Sequence, residues 1–137
     1  MEKNETLASK NATEPTFNGK TLTWYKENRA KAEAELDRFC NAYGVDKNDW
    51  GAYSADFTVL YTEKEEIWLQ GKEKERANLA HGLFCVWDDI IEAMQCGNDP
   101  QEELDNFVEP YRSLAFEPFN TNGEFVKPDG TVERYPR

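Results

Sequence analysis

The sequence predicts an all-α domain, or an α domain with minor β structure, in which four to five helices and a small C-terminal β-hairpin form one compact unit. Three observations favour this fold class. Apolar residues recur at three- and four-residue spacing between about residues 21 and 114. Glycines and a proline stand where such helices would end or divide. The 137 residues are 39% hydrophobic and 13% aromatic, which is enough for one core.

The chain divides into three predicted segments. Residues 1–20 are polar and aperiodic, as is typical of a flexible N-terminal tail. Residues 21–120 are predicted to form the helical domain. Residues 121–137 are predicted to form the hairpin, packed on the helices, because Pro128-Asp129-Gly130 has the chemistry of a tight turn between residues 124–127 and 131–135.

The first helix is predicted from about Thr21 to Gly44, a glycine placed to end it. A polar Arg29 interrupts its apolar face. The opposite face mixes both signs of charge, as on an ordinary solvated helix. Its apolar positions are Leu22, Tyr25, Ala32, Leu36, Phe39 and Tyr43.

A second helix is predicted from Asp46, whose side chain can cap free backbone N–H groups. A competing interpretation is a short strand over residues 57–61, which are β-branched and aromatic. Four aromatic residues could also form a ligand cage, although helical spacing favours a core role. They are Trp50, Tyr53, Phe57 and Trp68.

A central helix follows a predicted turn or kink at Gly71 and continues to about Cys96, with Gly97 able to end it. Its apolar face is broad, which predicts contacts with more than one neighbour. A narrow polar stripe on the other side is interpreted as a solvated helix face. The stripe consists of Asn78, His81, Cys85, Asp88, Glu92 and Gln95.

The next helix begins at Asp99-Pro100, because Asp caps a helix and Pro suits its first position. Pro110 is predicted to kink this helix or divide it into two pieces. The core predicted from all the helices consists of Tyr25, Leu36, Phe39, Phe57, Leu83, Trp87, Ile90, Leu104, Phe107 and Tyr111.

Catalytic signatures are absent from the sequence. Phosphate-binding glycine loops, HExxH, GxSxG and paired zinc-binding cysteines do not occur, and His81 is the single histidine. The stripe residues lie along several turns of one straight helix, so they cannot all converge on one ion. We therefore predict a protein that is not an enzyme and holds no cofactor or metal. An enzyme or metal site on the central helix remains a weaker alternative.

Charge restricts the partners that the protein can bind. The net charge of −11 argues against direct binding to nucleic acid or to anionic membranes, which both require basic side chains. Three cysteines without paired spacing, no apolar run long enough to cross a bilayer and no secretion signal predict a cytoplasmic protein with reduced thiols.

The acidic residues are concentrated in one part of the chain. Residues 77–126 contain ten acidic side chains and one basic side chain. Carboxylates three or four residues apart on a helix lie about 5–6 Å apart at Cβ, which is on the scale of the roughly 3.4 Å rise per nucleotide in DNA. The candidate partner-binding residues are Asp88, Asp89, Glu92, Glu102, Asp105 and Glu109.

Two functions are predicted, beside a third interpretation in which the acidity has no binding role. The sharpest is an inhibitor or regulator that binds a basic, nucleic-acid-handling protein, as a nucleic-acid mimic of the phage or mobile-element type. The second is an adaptor or assembly protein that binds through exposed aromatic residues. The third is that the acidity only keeps a small protein soluble. The sequence leaves the partner and the oligomeric state open.

Overall fold

Helix α1 (Leu22–Tyr43) has both of its predicted ends. The Thr21 side chain accepts a hydrogen bond from the backbone N–H of Trp24 at 3.1 Å, which caps the first turn. Gly44 ends the helix with a φ of 73°. In this computed structural model, residues 14–46, 48, 51, 53–54 and 57–119 are described, together with the backbone of residues 124–126 and 132–134.

Helix α2 (Gly71–Cys96) is the predicted central helix and ends at Gly97. Gly71 begins this helix rather than kinking a longer one. Helices α1 and α2 pack together in antiparallel orientation, because Arg29 contacts Asp88 near one end and Tyr43 donates a hydrogen bond to Glu73 near the other. None of the described helices is both long enough and apolar enough to cross a membrane.

Two short helices follow. In α3 (Pro100–Leu104) the Asp99 side chain accepts a hydrogen bond from Gln101 N at 3.0 Å, as the capping prediction requires. Helix α4 (Tyr111–Leu114) begins directly after Pro110. The predicted helix is therefore divided into two short pieces, as one of the two predictions had it, although α3 ends at Leu104, before Pro110 is reached.

The predicted second helix, from Asp46 towards Leu60, is wrong. Strands β3 (Val59–Tyr61) and β4 (Glu66–Trp68) form an antiparallel pair with Leu60 opposite Ile67. Tyr53 forms an isolated antiparallel bridge with Leu60, and Phe57 has a φ of 58°, outside the right-handed helical region. The Ser54 hydroxyl accepts hydrogen bonds from the N–H groups of residues 58 and 59, both at 3.1 Å, and so stabilises the turn into β3.

A second hairpin lies where the sequence analysis placed a tail. Strands β1 (Thr16–Phe17) and β2 (Lys20–Thr21) pair across Asn18 and Gly19, whose φ angles of 53° and 79° suit a two-residue hairpin turn. Phe17 packs against the core, and its carbonyl accepts a 2.7 Å hydrogen bond from the Tyr25 hydroxyl. Residues 1–13 of the predicted tail lie outside the described residues.

The predicted fold class is therefore wrong in its β structure. The protein is mostly helical, but small antiparallel sheets lie in the N-terminal and middle parts of the chain. Strands β5 (Glu124–Val126) and β6 (Val132–Arg134) pair with Val126 opposite Val132. The Pro128-Asp129-Gly130 turn predicted between them lies outside the described residues, so the packing of the predicted C-terminal hairpin stays untested.

The core lies between α1, α2 and the chain after α3. Eight of the ten predicted core residues are buried, and Phe107 and Tyr111 are half-buried against them. Tyr111 crosses α2 at Gly82, where an added Cβ would lie 2.4 Å from the tyrosine ring. The glycine therefore permits the close approach of α4.

Asn28 connects α1 to the chain after α4. Its side-chain amide donates to the Trp24 carbonyl at 2.9 Å and its oxygen accepts from the Phe119 N–H at 2.8 Å. Both Asn28 and Phe119 are buried. This side chain therefore satisfies a backbone donor 91 residues away in sequence.

We expect Asn28→Ala to lower the free energy of unfolding by about 1–3 kcal/mol, because it leaves the buried Phe119 N–H without its acceptor. Urea denaturation measures the change. The matched control is Asn41→Ala on the exposed side of the same helix, which should change stability by no more than about 0.5 kcal/mol. Equal effects of the two substitutions would contradict the assigned role of Asn28.

Candidate functional site

Three of the predicted site residues lie on the outer side of α2. Trp87, Ile90 and Ile91 are buried, and this orientation directs the neighbouring carboxylates away from the core. Asp88 and Glu92 are exposed, whereas Asp89 is half-buried. The helix therefore presents these acidic side chains at its surface, as predicted.

Asp89 is surrounded by negative charge. Burial raises the pKa of its carboxyl, and the neighbouring carboxylates of Glu103, Asp88 and Glu92 raise it further. No basic side chain in the described ranges pairs with Asp89, Glu92 or Glu103. We call these three residues the acidic cluster.

Glu103 is a member that the sequence analysis missed. It belongs to α3, and it approaches α2 through the packing of the two helices. Periodicity within α3 gives no signal for this approach, because it depends on contacts between helices. The structure thus joins acidic residues of α2 and α3 in one cluster.

The remaining predicted residues have different surroundings. Glu102 and Asp105 are exposed on and just after α3, and Asp105 accepts a 2.8 Å hydrogen bond from the Gln101 amide. Glu109 accepts two hydrogen bonds from Ser113, each at 3.0 Å, and lies 3.7 Å from Arg112. The hydrogen bonds with Ser113 are the main cause of the lowered pKa of Glu109.

Asp88 has a basic partner on the other long helix. The Arg29 guanidinium donates a 2.6 Å hydrogen bond to its carboxylate, and both side chains are partly exposed. Arg29 is the polar residue that interrupts the apolar pattern of α1. Its position is explained by this ion pair, which offsets the charge of Asp88 beside the acidic cluster.

His81 and Cys85 do not lie on a fully solvated face, which corrects our interpretation of the polar stripe. Both side chains are half-buried, and the His81 ring stacks on Phe57 with 5.5 Å between ring centroids and 24° between planes. The Cys85 sulfur lies 3.9 Å from His81 Nε2.

The electrostatic surroundings of Cys85 do not favour nucleophilic catalysis by this pair. Burial raises the pKa of the Cys85 thiol, and the carboxylates of Asp89 and Asp88 raise it further. A nucleophilic cysteine requires the opposite shift, because the thiolate is the reactive form. In the described part of the chain, no group of three or more His, Cys, Asp or Glu residues is arranged to hold a metal ion.

A cavity of about 470 Å³ lies beside the acidic cluster, between α1, α2 and the segments before β3 and after α3. No pattern in the sequence predicted this cavity. Trp50, from the hypothetical aromatic cage, lies outside the described residues, and Trp68 is exposed. The described lining residues are Glu33, Leu36, Asn48, Tyr53, Phe57, His81, Phe84, Cys85, Asp88, Asp89 and Phe107.

Comparisons of the chain with protein-family models, with curated proteins and with solved structures give no match.

No disulfide joins Cys40, Cys85 and Cys96, which are buried, half-buried and exposed, respectively. We expect Cys96 to react first with a thiol reagent at pH 7, and Cys40 to react only after unfolding. Cys85 should react slowly at pH 7, because its raised pKa lowers the fraction of reactive thiolate and its side chain is half-buried. Mass spectrometry of timed alkylation measures the order. Faster alkylation of Cys85 than of Cys96 would contradict the assigned environment.

Asp89→Asn is expected to stabilise the protein by about 0.5 kcal/mol at pH 7, the scale of like-charge repulsion on a helix. The folded-state pKa of Asp89 is raised, so ionisation costs stability as the pH rises through that pKa. The gain should disappear below the ordinary pKa of 3.8. Urea denaturation at several pH values tests this, with Glu27→Gln on the mixed-charge face of α1 as control. Destabilisation at pH 7 would contradict it.

Proposed function

We propose that the protein is a non-enzymatic regulator that binds a basic surface of a nucleic-acid-handling protein. The observation that supports this proposal is the acidic cluster. Asp89, Glu92 and Glu103 come from two helices, and no base in the described ranges neutralises them. Mutual repulsion opposes this arrangement in the isolated protein. A basic partner would relieve the repulsion, and the same charges would accelerate association.

The arrangement is compatible with imitation of a nucleic-acid strand. The exposed carboxylates of Glu92 and Glu102 belong to successive helices that pack together, so negative charge continues from one helix to the next. A basic groove that binds phosphates could accept such a surface. On this proposal, nucleic acid and the protein compete for one site on the partner.

A second candidate is an adaptor that binds through aromatic residues. The side chain of Trp68 on β4 is 63% exposed, and that of Tyr61 on the paired strand β3 is 40% exposed. Large aromatic side chains are common anchors at protein interfaces. Salt separates the candidates, because screening weakens an electrostatic interface more than an aromatic one.

Charge reversal tests the proposed function. We expect Glu92→Lys and Glu103→Lys each to weaken partner binding by about 1.4 kcal/mol or more, which is about tenfold in Kd. Asp88→Lys and Glu109→Lys should have smaller effects, because Arg29 and Arg112 already offset those charges. Glu27→Lys on the exposed side of α1 is the control and should have little effect.

The measurement is fluorescence anisotropy of the full chain against a panel of purified basic DNA- and RNA-binding domains, at about 50 and 150 mM salt. Binding should weaken with salt, and added DNA should displace the protein. Simultaneous binding of DNA and the protein would contradict mimicry. If Trp68→Ala abolished binding while Glu92→Lys did not, the adaptor would replace the proposed regulator.

A further inference from the structure

The cavity between α1 and α2 combines aromatic walls with an acidic edge. Phe57 and Tyr53 lie 4.9 Å apart between ring centroids, and His81 stacks on Phe57. Phe84 and Phe107 also line the cavity and pack against the core. These contacts restrict the described aromatic rings of the cavity wall.

The backbone at Phe57 helps to position this wall. Its φ of 58° is unusual for a bulky residue, and its side chain is fully buried. The Phe57 N–H donates to the Ser54 carbonyl at 2.9 Å, within the turn that precedes β3. The turn therefore directs the ring towards His81 on α2, against which it stacks.

The charge of the cavity lining is negative. Glu33, Asp88 and Asp89 belong to the lining, and none of the described lining residues is Lys or Arg. Asp88 is bound by Arg29 from outside the lining. The charged groups that influence Asp89 are all carboxylates, so no described basic group compensates its charge.

We propose that this cavity binds a small organic cation, namely a protonated amine with an aromatic or aliphatic body. The ammonium group would pair with Asp89, and the apolar body would contact the half-buried rings of Phe84 and Phe107. Aromatic rings attract cations through their negative faces, and partial burial strengthens an ion pair. The volume of about 470 Å³ lies within the roughly 300–1,000 Å³ that is usual for small-ligand sites.

The same features disfavour other ligand classes. An anion would be repelled by Asp89 and its carboxylate neighbours. The described lining contains no lysine or arginine that would offset this repulsion. A neutral apolar molecule could use the rings but would gain nothing from the acidic edge. Charge on the ligand is therefore the property that an experiment has to vary.

Three probes of nearly equal size provide that variation: 2-phenylethylammonium, the neutral 2-phenylethanol and the anionic 3-phenylpropanoate. Each is titrated into the full chain at pH 7.5 and low salt by calorimetry, and NMR chemical shifts locate the site. The ammonium should bind with a Kd below about 1 mM and at least about tenfold more tightly than the alcohol. The anion should show no saturable binding.

Two variants assign the site. Asp89→Asn keeps the shape of the side chain, removes its charge and should weaken ammonium binding about tenfold or more. Glu102→Gln removes a charge from an acidic residue outside the cavity and should change the Kd less than about twofold. Circular dichroism of both variants verifies that they are folded.

Equal affinities for the ammonium and the alcohol, or no saturable binding of the ammonium, would overturn the proposal. Equal losses in Asp89→Asn and Glu102→Gln would also overturn it, because the attraction would then be a general effect of surface charge. The outcome is independent of the proposed protein partner, which is tested with Glu92→Lys and Glu103→Lys in a separate assay.

Discussion

The burial of Trp87 is the constraint on which the rest of the structure depends. Its side chain is inaccessible to solvent, and its ring meets those of Trp24 and Phe119 edge to face, with centroid distances of 6.3 and 6.2 Å. An indole N–H in such a place needs an acceptor, and the Ala115 carbonyl supplies it at 2.9 Å. The chain after α4 therefore has to cover the α1–α2 pair, and Asn28 holds the same segment from α1.

One side of α2 packs into this core, and the candidate site lies on its other side. Towards its middle, α2 contributes His81 and Cys85 to the cavity, and one to two turns later it contributes Asp89 and Glu92 to the acidic cluster. Acidic residues gathered in this way repel one another and do not stabilise the fold.

The sequence predicted most where local interactions decide the structure. Both long helices end at the predicted glycines, Gly44 and Gly97, and most of the predicted core is buried. The first hairpin was missed, although Asn18-Gly19 is a strong signal for a two-residue hairpin turn. The apolar neighbours Phe17 and Leu22 were too few to reveal the strands beside it. The helical spacing of the aromatic residues around Phe57 predicted a helix that the structure does not contain. The same spacing also fits residues of a turn and a strand that pack into one core.

The sequence by itself therefore determined the long helices, their core faces and the concentration of acidic residues after residue 76. The tertiary structure decided which charged side chains have a partner of opposite charge and which groups lie beside them. Arg29 reaches Asp88 across 59 residues of sequence, and Glu103 approaches Asp89 from another helix. Periodicity records the direction of a side chain relative to its own helix axis. Ion pairs, like-charge clusters and cavities depend on the distance between helices, which is established when the side chains of the core pack together.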